Sequence, residues 1–212
     1  MVSNAELVNY LVESGWIRSE RVKRAFLVVD RIFFVPEDAR GYAYEDHPIP
    51  IGYGQTISAP SVVAFMLEEL DVKEGGKVLE VGAGSGYNAA LLSYLVGPKG
   101  RVISIDIVPE LVQFAKKNLA KYGRAENVSL LFGDGSCGYE EEAPYDRIIV
   151  TAGMPYIENH PLLKQLKPNG RAIAPVGGRF WQDLVLYSRG EYKKVLPVMF
   201  VPLIGKCGFS KE

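Results

Sequence analysis

Glu80-Val81-Gly82-Ala83-Gly84-Ser85-Gly86-Tyr87 is the stretch whose reading decides the fold. An apolar strand, Lys77 to Val81, runs into it, and a helical pattern, Tyr87 to Leu95, runs out of it. Three glycines at alternate positions let the backbone turn tightly and approach a ligand closely. The helix behind them presents free N–H groups at its start. A second strand, Arg101 to Ile105, ends in Asp106, about twenty residues after Gly86. A carboxylate there can accept two hydrogen bonds from a ribose diol. The unit predicts a nucleoside-binding crevice. Its spacing is Gly-x-Gly-x-Gly with Glu80 in front, not the Gly-x-Gly-x-x-Gly that cradles a pyrophosphate. Glu80 would repel phosphate and suits a cationic amino-acid moiety. The inferred ligand is S-adenosylmethionine, which carries an ammonium and a sulfonium.

Outward from this unit, β and α segments alternate. Helical Ser61 to Leu70 precedes it; Pro109 to Tyr122 (helix), Val128 to Phe132 (strand), Tyr145 to Thr151 (strand) and Pro161 to Leu166 (short helix) follow. The alternation predicts a parallel sheet covered by helices on both faces. Arg171 to Val176, Asp183 to Ser188 and Val195 to Val201 read as three further strands, with connections too short for a helical crossover. They should close the sheet as an antiparallel meander. The expected fold is α/β, with seven mostly parallel strands. On the N-terminal side, Ser3-x-x-Glu6 is a capping box, and Val22, Ala25, Phe26 and Val29 mark a second helix. Residues 31–60 read as a long irregular segment with Pro36, Pro48, Pro50 and Pro60, too apolar for a linker. Loops of that length inside a compact domain are usually functional.

The chain has 212 residues, 48% of them hydrophobic, which suits one domain spanning 1–212. We divide it into a covering segment, 1–60, and an α/β core, 61–212. Net charge is −1, which gives no bulk field for nucleic acid. Residues 161–212 hold nine Lys/Arg against three Asp/Glu, a basic stretch, with Lys193 and Lys194 in it, that is expected to favour peptides with acidic flanks. Cys137 and Cys207 lie far apart in sequence, predicting neither a metal framework nor a disulfide scaffold. With His47 and His160 the only histidines, no metal is expected. There is no apolar run of membrane-spanning length and no signal-peptide pattern, so the expectation is a cytoplasmic protein with no membrane partner.

Strand ends carry the chemistry in such a sheet, at the switch in strand order. Glu80 and the glycines Gly82, Gly84 and Gly86 should hold the methionine part. Asp106, with Ile107 beside it, should hold the ribose, and Asp134 with the Gly135 backbone should read the adenine amino group. Thr151 ends a strand where small residues leave room. No strong base is evident, so the acceptor should already be a nucleophile, and a carboxylate with a pKa of about 4 qualifies.

Phe34-Val35-Pro36, Pro50-Ile51-Gly52, Gln55-Thr56-Ile57-Ser58-Ala59-Pro60, Glu80 to Asn88, Gly133-Asp134-Gly135, Pro144-Tyr145-Asp146 and Phe200-Val201-Pro202-Leu203 together resemble the protein-L-isoaspartate (D-aspartate) O-methyltransferase family, archaeal and bacterial type. The run from Gln55 to Pro60 is the most specific of them. The resemblance implies a Rossmann-like class I methyltransferase. It would move a methyl group from S-adenosylmethionine to the free α-carboxylate of an isoaspartyl residue, releasing S-adenosylhomocysteine. It also implies that Ser58 orients that carboxylate and that Gln55, Thr56 and Ile57 line the cofactor and substrate. Ala83 departs from the Thr or Ser of many members. The partners implied are isoaspartyl proteins and peptides; separately, a monomer with no nucleic-acid partner is expected. The rival readings are an RNA or small-molecule methyltransferase on the same fold, a non-catalytic cofactor-binding adaptor and, least favoured, a nicotinamide oxidoreductase.

Overall fold

Strand β3 (Lys77–Val81) sits at the centre of the sheet and is buried on both faces from Val78 onward. A computed structural model of the chain, which describes residues 1–211, places it between β4 (Arg101–Asp106) and β6 (Tyr145–Val150). The full order is β5-β4-β3-β6-β7-β8-β9, with β5 at Val128–Phe132, β7 at Leu166–Gly177, β8 at Gln182–Ser188 and β9 at Glu191–Val198. β3 to β7 run parallel, and β8 and β9 return as the antiparallel meander that the short connections predict. The order reverses between β3 and β6, and that switch opens a crevice at the carboxyl ends.

Helices α3 (Pro60–Leu70), α4 (Tyr87–Val96) and α5 (Pro109–Tyr122) flank the sheet. α3 and α5 each carry proline at their first turn, where a missing N–H is harmless. α5 stops at Gly123 in the left-handed region. α4 has apolar residues almost all round and is buried along most of its length, so it sits in the core and not on its rim. The N-terminal helices, α1 (Asn4–Glu13) and α2 (Glu20–Val28), pack on α3 and α4. Ser3 caps α1 by accepting from Glu6 N, but Glu6 reaches back to Val2 N, not to the capping residue itself.

Four parts differ from the sequence reading. β7 begins at Leu166 and not at Arg171, because Leu166 already pairs with Tyr145 of β6. The segment after α2 is not irregular throughout. It contains two 3-10 turns, Arg31–Phe34 and Glu37–Tyr42, and a hairpin of β1 (Ile49–Gly52) and β2 (Gln55–Ile57). Strand β9 begins four residues earlier than expected, because Arg189 and Gly190, both at positive φ, make a tight two-residue turn. Its exposed Glu191-Tyr192-Lys193-Lys194 start belongs to an edge strand and shows no apolar alternation. Finally, Cys137 and Cys207 form a disulfide, which overturns the expectation of none. The loop after β5 and the C-terminal tail converge at the carboxyl end of the sheet, so 70 residues of sequence separation become covalent contact.

Candidate active site

The crevice is a cavity of roughly 270 Å³. Its floor is the glycine turn after β3; its walls come from β2, the ends of β4 and β6, and the segment after β9. Gly82 and Gly84 both sit at positive φ. A side chain on Gly82 would collide with Thr151 Oγ1. Thr151 also fixes the turn, donating from its hydroxyl to Gly82 O at 2.7 Å. A side chain on Gly84 would meet Ile51 of β1, so the hairpin lies over the turn.

Two carboxylates stand on the floor. Glu80 is fully buried and accepts from Asn88 Nδ2 at 2.8 Å and from Ser104 Oγ at 2.5 Å. Burial pushes it up to about 7, and the charge of Asp106 adds to this; the bonds from Ser104 and Asn88 work the other way. The Oδ1 of Asn88 is buried and has no hydrogen-bond partner among the described residues. Asp106 accepts from Gly84 N and from Val108 N, both at 2.9 Å, one on each oxygen. A carboxylate oxygen has room for more than one donor, so both remain able to accept.

Of the residues picked from sequence, Gln55, Thr56, Ile57, Ser58, Glu80, Gly82, Gly84, Asp106, Ile107, Gly135 and Thr151 all border this cavity. Gly86 and Asp134 do not. Gly86 starts α4 and lies against Ala115 of α5, where a Cβ would crowd that helix at 3.2 Å. Asp134 accepts from Ser136 N and Lys206 N, each at 2.8 Å. Burial alone would raise its pKa, but these donors hold it below the usual carboxylate range. It ties the loop after β5 to the C-terminal tail, beside the disulfide.

Sequence reasoning missed part of the wall. Val201, Pro202, Leu203 and Ile204 border the cavity, brought there by pairing of Gly153 with Pro202. Their only signal was the Phe-Val-Pro-Leu run. Ser136, Asn88 and Lys211 also border it. Lys193 and Lys194 do not: they lie on β9, three strands beyond β6, and Lys194 pairs with Asp183 at 2.9 Å.

Ser58 stands on the wall just before α3, and its hydroxyl is bonded to no other described residue. It does not cap α3. The cap is Ala59, without a side-chain bond, and Asp46 accepts from Ser61 N at 2.9 Å instead. Among the described residues no group of three or more His, Cys, Asp or Glu is placed to hold a metal ion.

Comparison with known proteins agrees with this geometry. The family model described as protein-L-isoaspartate(D-aspartate) O-methyltransferase matches residues 2–208. A protein-L-isoaspartate O-methyltransferase of Hyperthermus butylicus is 52% identical over 97% of this chain and 90% of its own. One from Methanopyrus kandleri is 53% identical over 97% and 92%. A solved protein-L-isoaspartate O-methyltransferase superposes with a TM-score of 0.84 at 32% identity, covering 97% of this chain and 67% of its own. A Plasmodium falciparum protein described under the same activity, solved with S-adenosyl-L-homocysteine, gives 0.85 at 26% identity over 95% and 98%.

Proposed function

The chain belongs to the protein-L-isoaspartate(D-aspartate) O-methyltransferase family, and from that membership we infer how its cavity works. It is an S-adenosylmethionine-dependent carboxyl methyltransferase of protein repair, acting on the free α-carboxylate of L-isoaspartyl residues in damaged proteins and peptides. The cofactor supplies a methyl group on a sulfonium. As the new oxygen–carbon bond forms, the sulfur–carbon bond breaks, S-adenosylhomocysteine leaves and both charges are neutralised. The ester then closes to a succinimide without the enzyme, and hydrolysis returns part of it to aspartate.

We propose the following roles for the residues. Glu80 and the unbonded Oδ1 of Asn88 form an acceptor pair suited to an ammonium group. Asp106, with Ile107 beside it, takes the ribose hydroxyls. Gly82 and Gly84 keep the floor free of side chains, and Gly135, packed too close to Ile105 for a side chain, offers its backbone to the adenine. Gln55, Thr56 and Ile57 line the acceptor side, where Ser58 donates its hydroxyl to the substrate carboxylate. The enzyme needs no added base, because the acceptor is ionised at neutral pH. Holding it in line with the methyl group in a cavity shielded from water supplies most of the acceleration. The observation that carries this reading is one cavity bordered by Ser58, Glu80 and Asp106 in a chain matched to the family over nearly its whole length.

We further propose a monomer working in the cytoplasm, with polypeptides and not nucleic acids as partners. The net charge of −1 supports the last point. No helix among the described residues is long and apolar enough to cross a membrane. The disulfide suits a cytoplasmic protein where intracellular disulfides persist, as in hyperthermophilic archaea.

The test uses labelled S-adenosylmethionine with a peptide pair differing only in isoaspartate against aspartate. Base-labile label on the isoaspartyl peptide alone is expected. Equal labelling of both, or none, would overturn the assignment.

A further inference from the structure

Arg31 is wholly buried at the start of the first 3-10 turn. Its Nη1 donates to the carbonyl of Ser58 at 2.9 Å, and its Nη2 donates to the carbonyl of His47 at 3.4 Å. The guanidinium lies 5.4 Å from the centre of the Tyr87 ring, another residue bordering the cavity. Asp46 is the acidic group whose charge bears on it, and that carboxylate is already engaged by Ser61 N. Among the described residues Nε of Arg31 has no hydrogen-bond partner, nor has the hydroxyl of Tyr87.

A cation so placed is expensive to bury, since its charge is not matched by a paired carboxylate. Both of its bonds end on backbone carbonyls, one of them in the residue that faces the acceptor. Arg31 and Asp46 grip the Ser58–Ser61 turn from two sides, one at a carbonyl and one at an amide. That grip lets α3 start without Ser58 as its cap and leaves the Ser58 hydroxyl available at the wall. Burial pushes the guanidinium down to about 10, so it remains charged through the neutral range. A fixed charge behind a water-poor wall acts more strongly than one in solvent.

We propose that Arg31 is a positioning residue for the reaction: it fixes the Ser58 peptide so that the hydroxyl meets the acceptor carboxylate, and its buried charge makes that wall favour an anionic acceptor. The proposal rests on the reading of Ser58 as the acceptor contact.

A double-mutant cycle tests it, with Arg31→Gln, Arg31→Lys, Ser58→Ala and the combinations, each checked for a cooperative thermal transition. KM and kcat for an isoaspartyl peptide are measured beside the affinity for S-adenosylhomocysteine. Arg31→Gln should raise KM about tenfold, the scale of a hydrogen bond to a charged group, with cofactor affinity unchanged. Arg31→Lys should restore most of the loss, and the effect of Arg31→Gln should shrink in the Ser58→Ala background. Unchanged KM in Arg31→Gln, a parallel loss of cofactor affinity, or full additivity with Ser58→Ala would overturn the proposal. If the glutamine variant does not fold, Arg31→Met, which keeps the length of the stem and removes the donors and the charge, carries the same cycle with the same expected and overturning results. Ser58→Ala with wild-type KM would remove the Ser58 reading and this one with it, whereas an inert wild-type enzyme would remove the function itself.

Discussion

Glu80 is an acid that the fold holds near neutrality, and its titration has a definite sign. Raised from 4.5 to about 7, it keeps in the folded protein a proton that the unfolded chain has already released between those values. Stability without cofactor should therefore fall as pH rises from 4.5 to 7, by on the order of 3 kcal/mol, with no further contribution from Glu80 above 7. Chemical denaturation of wild type and Glu80→Gln across that range checks it; the glutamine variant should lack this part of the slope. The bound ammonium selects the ionised form, so affinity for S-adenosylhomocysteine should climb through the same interval and level off above pH 7. Calorimetric titrations showing a pH-independent affinity would remove the proposed Glu80–ammonium contact.

At the scale of elements, the glycine turn works because nothing projects from it. Gly82→Ala places a methyl group against Thr151 at a φ of 99°. The expected loss is about 2–4 kcal/mol, together with loss of cofactor binding. A lowered denaturation midpoint with intact affinity would show that the turn relaxes without closing the floor. The tail is held by the disulfide, by Asp134 and by Ser136, whose Oγ accepts from Cys207 N at 3.0 Å. Gly205 approaches so closely that any side chain there would strike Asp134 and Ser136. Closing a loop with a sequence separation of 70 is worth about 4 kcal/mol in the chain-entropy model. Reduction, or Cys207→Ser, should lower stability on that scale, and because Ile204 and Ser136 border the cavity, cofactor affinity should fall as well. Denaturation curves with and without reductant, run with binding measurements, decide both points.

At the scale of the molecule, the first two helices are part of the main core. Leu7, Val8, Leu11 and Phe26 are all 0% exposed and pack in one cluster with Leu67, Tyr87 and Leu91. Burying side chains of this kind contributes about 1.5–3 kcal/mol each, so removing four approaches the whole stability of a typical domain. We propose on this basis that residues 1–212 form one domain, with 1–60 as its covering part. Deleting residues 1–29 should abolish the cooperative thermal transition; a truncated protein that still melts cooperatively would divide the chain instead. Electrostatics also depends on this scale. Lys193 and Lys194 belong to the far edge of the sheet, and Lys211 is the lysine that borders the cavity. Charge reversal at Lys193 and Lys194 should leave KM for acidic isoaspartyl peptides unchanged, in contrast to the sequence-based expectation, while Lys211→Glu should raise it.

Much of this was legible in the chain because it is local. Lys77 to Val81, Arg101 to Asp106 and Val128 to Phe132 are apolar runs bounded by glycine or turn residues, and their limits coincide with β3, β4 and β5. Glu80, Asp106 and Thr151 could be placed at strand ends by counting, since a parallel sheet aligns those ends at one rim. What only the tertiary structure decided is long-range. The pairing of Cys137 with Cys207, the return of Val201 to Ile204 beside β6, and the grip of Arg31 on Ser58 join segments 27 to 70 residues apart. The roles of Asp134 and Gly86 belong to the same class. Each carried a plausible local reading at the rim, yet Asp134 meets the backbone of Lys206 and Gly86 meets Ala115. Periodicity and turn chemistry report on neighbours a few residues away, whereas a side chain's partner across the fold depends on how whole elements pack.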